Sequence, residues 1–378
     1  MIKKIVYVNE TFYRKNRDLG IEYMEKQGYE VELWSLLKIK YPNILETPSD
    51  NTGKKVIYLK NHIEIISRIR KENLRHTMFF FTTTTHRGGI EDFIRIMICL
   101  FGGKYSNFIY EILPVGEINI KTRKSVWDVV KKNMERYKLN FYQLIIEKWC
   151  LPTYCFVPTK GSTARLLKPY EQSRRVIVHN KDFDEYIMKK NDRKYMERYI
   201  VYIDEDLINA EDFRKSNAEK IYPDSKLFYK NINRLFEQLE KYYNCKVVIA
   251  AHPKSEYRGN EYGNREIIYY KTNELVRDAF LVLAHASCAN NFVILYRKNY
   301  IFLVDKYIKK HFVWNYLFVP QIKELHACTY DFGKGGEPWN YVNYPNKNYD
   351  KYYKKYINET ENESKLFYQI VDEKIKEL

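Results

Sequence analysis

The stretch Lys246-Val247-Val248-Ile249-Ala250-Ala251-His252-Pro253-Lys254-Ser255 decides the fold. Lys246 to Ala250 runs almost wholly apolar and β-branched, without polar alternation, as a strand does when both sheet faces are covered. Such strands belong to parallel sheets, which bind ligands beyond the carboxyl ends of their strands. Proline ends the ladder because it has no N–H to donate. His252 and Lys254 therefore stand where an anion would be held. A plainer reading, a loop histidine that merely closes a strand, stands beside it.

Working outward, Tyr199 to Ile203 reads as the preceding strand. Residues 224–243 read as an amphipathic helix with Phe228, Ile232, Leu235, Leu239 and Tyr242 on one face. Downstream come the strand Ile267 to Tyr269, a helix from Thr272 to Asp278 and the strand Leu281 to Leu283. A helix over about 288–296 and the strand Tyr300 to Val304 follow. The first half repeats the alternation. Ile5 to Val8, Tyr29 to Trp34, Val56 to Leu59, Met78 to Phe81, Phe108 to Tyr110 and Tyr154 to Val157 read as strands. Helical patterns cover 11–27, 61–74, 88–101 and 125–149. The fold class is α/β: two Rossmann-like domains, 1–180 and 199–347, with a cleft between them, a linker over 181–198 and a C-terminal helical tail over 348–378. Segment 329–347 is expected to be loop.

Composition bounds the function. The chain has 378 residues, 45% hydrophobic and 16% aromatic, enough for two packed cores and too much for a disordered scaffold. Its 36 tyrosines fit either a compositional bias or a special role. A net charge of +16 implies an anionic partner: a phosphorylated ligand, an acidic membrane surface or nucleic acid. No zinc-finger spacing and no basic-aromatic RNA motif is present, so no nucleic-acid partner is expected. The six cysteines form no CxxC pair and are expected to be reduced and mostly buried. The amino terminus turns polar at Asn9-Glu10, unlike a secretory signal, and no apolar run reaches the roughly 18 residues that span a bilayer. A cytoplasmic location follows as the expectation. Segment 125–149 sets Lys131, Lys132, Arg136 and Lys138 beside Val126, Trp127, Val130 and Tyr137. It reads as a core helix with a wet basic face, or as one resting on the anionic inner membrane face.

A second ligand element is Ala284-His285-Ala286-Ser287-Cys288-Ala289, between a buried strand and an apolar helix. Ser287 is the natural N-cap, and small neighbours let a backbone approach an anion there. Thr272 opens the intervening helix in the same manner, while His285 reads as packing. His252, Pro253, Lys254, Ser255, Thr272, Ser287 and Cys288 thus form the predicted binding set. Asp204-Glu205-Asp206 reads as a solvated acidic turn in preference to a ribose holder.

His252-Pro253, Lys271 to Val276, His285-Ala286-Ser287 and Arg297-Lys298 together resemble the carboxyl-terminal half of bacterial glycosyltransferases of the GT-B architecture. The likeness is to the sialyltransferase and capsule or lipopolysaccharide sugar-transferase groups. It covers about a hundred residues, and departs at Cys288 and Asn299, where hydroxyl and proline residues are frequent. The resemblance implies that His252 and Ser287 bind the phosphate of a nucleotide-sugar donor, CMP-linked sialic acid or Kdo first, and that 1–180 faces a glycan or lipid-linked glycan acceptor. An inverting transfer then needs a base in the first half. Glu117 is favoured, with Glu111 and His86 as alternatives, each following a predicted strand. No DxD motif is seen, so neither metal nor cofactor is expected. Competing functions are a CDP-glycerol or polyol phosphotransferase and a non-catalytic nucleotide- or glycan-binding protein.

Overall fold

The computed structural model describes residues 1–10, 12, 19–42, 54–82, 89–109, 112–116, 141–142, 144–159, 174–192, 197–208, 220–253, 255–257, 260–360 and 364–378. Two compact units result. The first comprises Met1–Ile112, Thr122–Lys181 and Asn358–Leu378; the second comprises Leu113–Lys121 and Asp182–Ile357.

The first unit is built on strands β1 (Lys4–Asn9), β2 (Glu30–Ser35), β3 (Val56–Tyr58), β4 (Thr77–Phe81), β5 (Lys104–Phe108), β6 (Tyr154–Val157) and β7 (Arg174–Ile177). They form a seven-stranded sheet in the order β3-β2-β1-β4-β5-β6-β7, with parallel pairings throughout. Successive side chains of a strand point to opposite faces, and β1 is apolar on both. Ile5 and Tyr7 join Ile21 and Met24 of α1 (Ile21–Lys26) in one core. Val6 and Val8 join Ile65 and Ile69 of α2 (His62–Lys71) and Ile94 and Ile98 of α3 (Ile90–Leu100) in the other.

The charged tail is an integral layer of this unit. Helix Phe367–Lys376 buries Phe367, Val371 and Ile375, at four-residue spacing, in the core that holds Ile5 and Tyr7. Asp372 on that helix accepts hydrogen bonds from Tyr29 Oη at 2.8 Å and Tyr23 Oη at 3.2 Å. Gly20 makes room for the helix. It sits at φ 61°, and a Cβ there would lie 2.3 Å from the Tyr368 ring.

In the second unit, β8 (Tyr199–Ile203), β9 (Lys246–Ala251), β10 (Ile267–Tyr269), β11 (Leu281–Ala284), β12 (Tyr300–Val304) and β13 (Thr329–Asp331) form a parallel sheet in the order β10-β9-β8-β11-β12-β13. Helix α4 (Ser225–Tyr243) connects β8 to β9. Its Asp224 cap accepts from Lys226 N at 2.9 Å, and Asn244 ends it in the left-handed region. The buried face is Phe228, Ile232, Leu235, Phe236 and Leu239. Tyr242, expected on that face, instead stacks outside it on Trp339 at 4.0 Å. Helices α5 (Thr272–Asp278) and α6 (Asn290–Leu295) flank β11.

Several expectations are corrected. Strand β5 lies earlier than Phe108–Tyr110, because its Lys104-Tyr105-Ser106-Asn107 start is polar by residue type yet buried from Tyr105 onward. Edge strands β7 and β13 were not expected; β7 begins with two exposed arginines, and β13 lies in the segment read as loop. Residues 181–198 include a helix, Lys181–Lys189, with Phe183 buried. The cysteines, expected to be mostly buried, are not: Cys288 and Cys328 are exposed, Cys99 and Cys245 intermediate, and Cys150 and Cys155 buried.

Candidate functional site

In both sheets the first strand is central, the second and third lie on one side, and the fourth lies on the other. The chain thus reverses direction across the sheet between β1 and β4 and again between β8 and β11. Such switch points open crevices at the strands' carboxyl ends. In the second unit, β8 lies between β9 and β11, so His252 after β9 and Ser287 after β11 are separated by two strand spacings, about 10 Å. Asp204 and Glu205, directly after β8, stand between them.

Asp204 organises this edge. Its Oδ2 accepts from His252 N at 3.2 Å, from Ser255 Oγ at 3.0 Å and from Tyr257 Oη. Its Oδ1 accepts from Asp206 N and Tyr262 Oη, both at 3.1 Å. Burial, and then the Asp204 charge, push the Tyr257 and Tyr262 hydroxyls well above their ordinary range, which keeps them protonated donors. Asp206 turns the chain at φ 47°, a left-handed conformation that aspartate tolerates better than most residues. The acidic turn is therefore not solvated as expected: Asp204 is 5% and Asp206 8% exposed. A buried carboxylate is stable here because its lone pairs are filled by convergent donors.

Glu205 behaves differently. Its carboxyl is pushed up to about 8 by burial, with the Asp204 charge adding to the rise and the Ser287 hydroxyl pulling the other way. Ser287 itself is held on two sides. Its N donates to Gln321 Oε1 at 3.3 Å, and its Oγ accepts from Ala289 N at 2.9 Å. Ser287 is thus not the N-cap it was taken for. Helix α6 starts at Asn290 behind an Ala289 cap that makes no side-chain bond, and it is six residues long. Asn290 Nδ2 ties this corner together by donating to His285 O at 2.8 Å and Gln321 Oε1 at 3.0 Å.

His285 is a core residue, as read. Nδ1 faces Leu303 O at 3.1 Å and so carries the proton, which leaves Nε2 to accept from Tyr202 Oη at 3.1 Å. Burial lowers its pKa to about 4 and holds it neutral. Thr272 is the first residue of α5, behind Lys271 as cap. Pro253 and Cys288 are exposed, and Lys254 lies outside the described residues. The interactions thus draw His252 and Ser255 to Asp204, and Ser287 to Gln321.

The three base candidates, His86, Glu111 and Glu117, all lie outside the described residues. Gly116, next to Glu117, belongs to the second unit, where its N donates to Tyr316 O at 2.8 Å. A Cβ on Gly116 would lie 2.3 Å from Asn315 O, so only glycine fits. At the first unit's strand ends, Glu10 after β1 pairs with Lys40 at 3.2 Å, and Lys40 also pairs with Glu91. A surface hollow bounded by Asn61, Ile63, Glu64, Ser67, Arg68 and Lys71 belongs to α2 and its cap, not to these ends. Among the described residues, no three His, Cys, Asp or Glu side chains are grouped to hold a metal ion, and no helix is long and apolar enough to cross a membrane.

No protein-family model and no curated protein sequence matches the chain. Solved structures do. Two histidine-substituted forms of the wall teichoic acid polymerase TagF superpose with TM-scores of 0.54 and 0.51, at 14% and 11% identity, each covering 99% of this chain and 89% of that one. UDP-GlcNAc 2-epimerase from Methanocaldococcus jannaschii superposes with a TM-score of 0.50 at 14% identity, covering 100% of both chains. The chain has the GT-B fold. The likeness is one of fold, and within this GT-B chain the hydrogen-bonded side chains described above gather at the second switch point.

Tyr257, Tyr262, Asn290 and Gln321 escaped the reading of the sequence. Tyr257 and Tyr262 carried a weak signal, two aromatics in an otherwise polar loop just after His252-Pro253. Asn290 and Gln321 carried none, since a buried amide inside an apolar helix looks like any helical amide.

Proposed function

We propose that the chain is a GT-B transferase that uses a nucleotide-activated donor, with the donor's phosphates received at the second-unit edge made by His252, Ser255 and Ser287. The observation that supports this most is the Asp204 network. A buried carboxylate that gathers His252 N, Ser255 Oγ and two tyrosine hydroxyls holds the His-Pro loop in one geometry at a switch point. Preorganised donors of this kind stabilise negative charge growing on a leaving phosphate. The sugar reading keeps its place: a CMP-activated nonulosonic acid or Kdo as donor and a bacterial surface glycan, free or lipid-linked, as acceptor, with inversion and Glu117, Glu111 or His86 as base.

The likeness to TagF, a wall teichoic acid polymerase, favours a second reading, transfer of a polyol phosphate from a CDP-linked donor. Both use the same site. Incubation of the full chain with CMP-sugar, UDP-sugar and CDP-glycerol donors and glycan acceptors, followed by mass spectrometry, separates them: a glycosidic product supports the first and a phosphodiester the second. No turnover with any donor, together with no nucleotide binding, would sink both.

The partner surface we propose is an anionic bilayer. Residues 141–142 and 144–149, at the end of the basic segment, are helical and expose Phe141, Leu144 and Trp149, the last at 74%. Apolar side chains beside lysines suit the headgroup boundary. Co-sedimentation with anionic but not neutral vesicles is the expected result, and equal recovery with both would contradict it.

A further inference from the structure

The corner that seats Ser287 is built from two side-chain amides, and the backbone fixes which way each points. Ser287 N only donates, so the Gln321 atom 3.3 Å from it is the oxygen Oε1. The Asn290 atom 3.0 Å from that oxygen and 2.8 Å from His285 O is therefore the nitrogen Nδ2. Gln321 comes from the helix Val319–Leu325. The buried Phe318 ring sets its approach by packing on Phe302 of β12 and on His285, with centroids 6.1 and 6.4 Å apart. Gln321 is 0% and Asn290 1% exposed. The other ends of these amides, Gln321 Nε2 and Asn290 Oδ1, are buried and have no hydrogen-bond partner among the described residues. Burying an unpaired polar end costs free energy that an apolar residue of the same size would avoid. Stability therefore accounts poorly for two amides that each use one end. Their used ends converge on the seat of Ser287.

We infer, resting on the nucleotide-site reading above, that Gln321 is a positioning residue for the donor's phosphate and acts through Ser287. Its Oε1 occupies Ser287 N, and Ala289 N occupies a lone pair of Ser287 Oγ, which ties the side chain to its own turn. The backbone N–H of Ser287 is thereby withdrawn from the ligand. The N–H groups of Asn291 and Phe292 are taken as well, by Cys288 O and Ala289 O, both at 3.0 Å. What Ser287 offers a phosphate is its hydroxyl proton, and Gln321 sets where that hydroxyl stands. Asn290 holds Gln321 in turn. A reversed Gln321 amide would set Nε2 against two donors, so the pair admits one orientation. A group ordered before the ligand arrives costs less to engage than one the ligand must order.

The test is a double-mutant cycle on the full chain, read by calorimetric titration with CMP and CDP. Ser287→Ala should weaken binding at least about tenfold, and Gln321→Met, which is close in size and lacks the oxygen, about fivefold. The double variant should bind within about twofold of Ser287→Ala, because Gln321 has nothing left to position once the hydroxyl is gone. A merely structural role would instead multiply the two losses, to about fiftyfold. Circular dichroism and melting curves check that each variant folds. Should Gln321→Met fail to fold, Asn290→Ala, which only loosens Gln321, runs the same cycle with an expected loss of about threefold. Multiplied losses, or wild-type affinity in the Gln321 or Asn290 variant used, overturn the inference and leave the nucleotide site in place. Absence of nucleotide binding by the wild type, or unchanged affinity in Ser287→Ala, overturns the reading of Ser287 and this inference with it.

Discussion

The two sheets share one strand order, yet their first strands end in opposite electrostatic solutions. After β1, Glu10 is half-exposed and neutralised by Lys40, which also pairs with Glu91. After β8, Asp204 is buried and stabilised by two backbone N–H groups, a serine and two tyrosines, all neutral donors. A surface ion pair of the first kind contributes little, since solvent already stabilises its members. A buried carboxylate with convergent neutral donors fixes geometry, because each donor would be left unpaired if it moved. Topology alone therefore does not mark a site. The manner in which an acid at a switch point is satisfied separates a surface from a prepared binding edge.

The largest effect should come from Asp204→Ala, which strands several buried donors and should cost about 3 kcal/mol or more in urea unfolding. Glu10→Ala should cost under about 1 kcal/mol, and equal losses for the two variants would break the contrast. Gly116→Ala forces a Cβ against Asn315 O, with an expected loss of about 1–3 kcal/mol in the same assay. An unchanged midpoint would mean that the segment before Glu117 is not seated on Asn315 and Tyr316. Tyr29→Phe removes one donor from Asp372 and should cost about 1 kcal/mol, testing whether the closing helix is a structural layer of the first unit.

A further effect is a slope with pH. Glu205 is raised on folding to about 8, so its contribution is whole below the unfolded carboxyl value, near 4.3, and is lost as pH rises through 8. His285 is lowered to about 4, so its contribution is present above about 6.5 and is lost as pH falls toward 4. The two slopes oppose each other between roughly 4.3 and 6.5, and Glu205 acts alone from there to 8. Melting temperature should therefore drift downward over that upper range in the wild type and lose this drift in Glu205→Gln. An identical drift in both would assign it to other groups.

Most of the second sheet was legible because its strands are apolar on both faces. Tyr199–Ile203, Ile267–Tyr269 and Tyr300–Val304 could be bounded from β-branched and aromatic runs alone. Strand β5 was misplaced because Ser106 and Asn107 are polar residues inside a core, and β7 because an edge strand tolerates Arg174 and Arg175. At the site, sequence position gave the strand-end rule and with it His252 and Ser287. It could not give the Asp204 network. That depends on Tyr257 and Tyr262 returning across 53 and 58 residues of chain, a closeness that only folding creates.

The central claim is that the second-unit edge, and not its counterpart after β1, receives the donor's phosphate. Nucleotide affinity of the full chain, measured by titration calorimetry with CMP, CDP and UDP, tests it most directly when wild type is set beside His252→Ala, Ser287→Ala and Glu10→Ala. We predict at least about tenfold weaker binding for the first two variants and wild-type affinity for the third. Unchanged affinity in both His252→Ala and Ser287→Ala, with the wild type binding, would contradict the account.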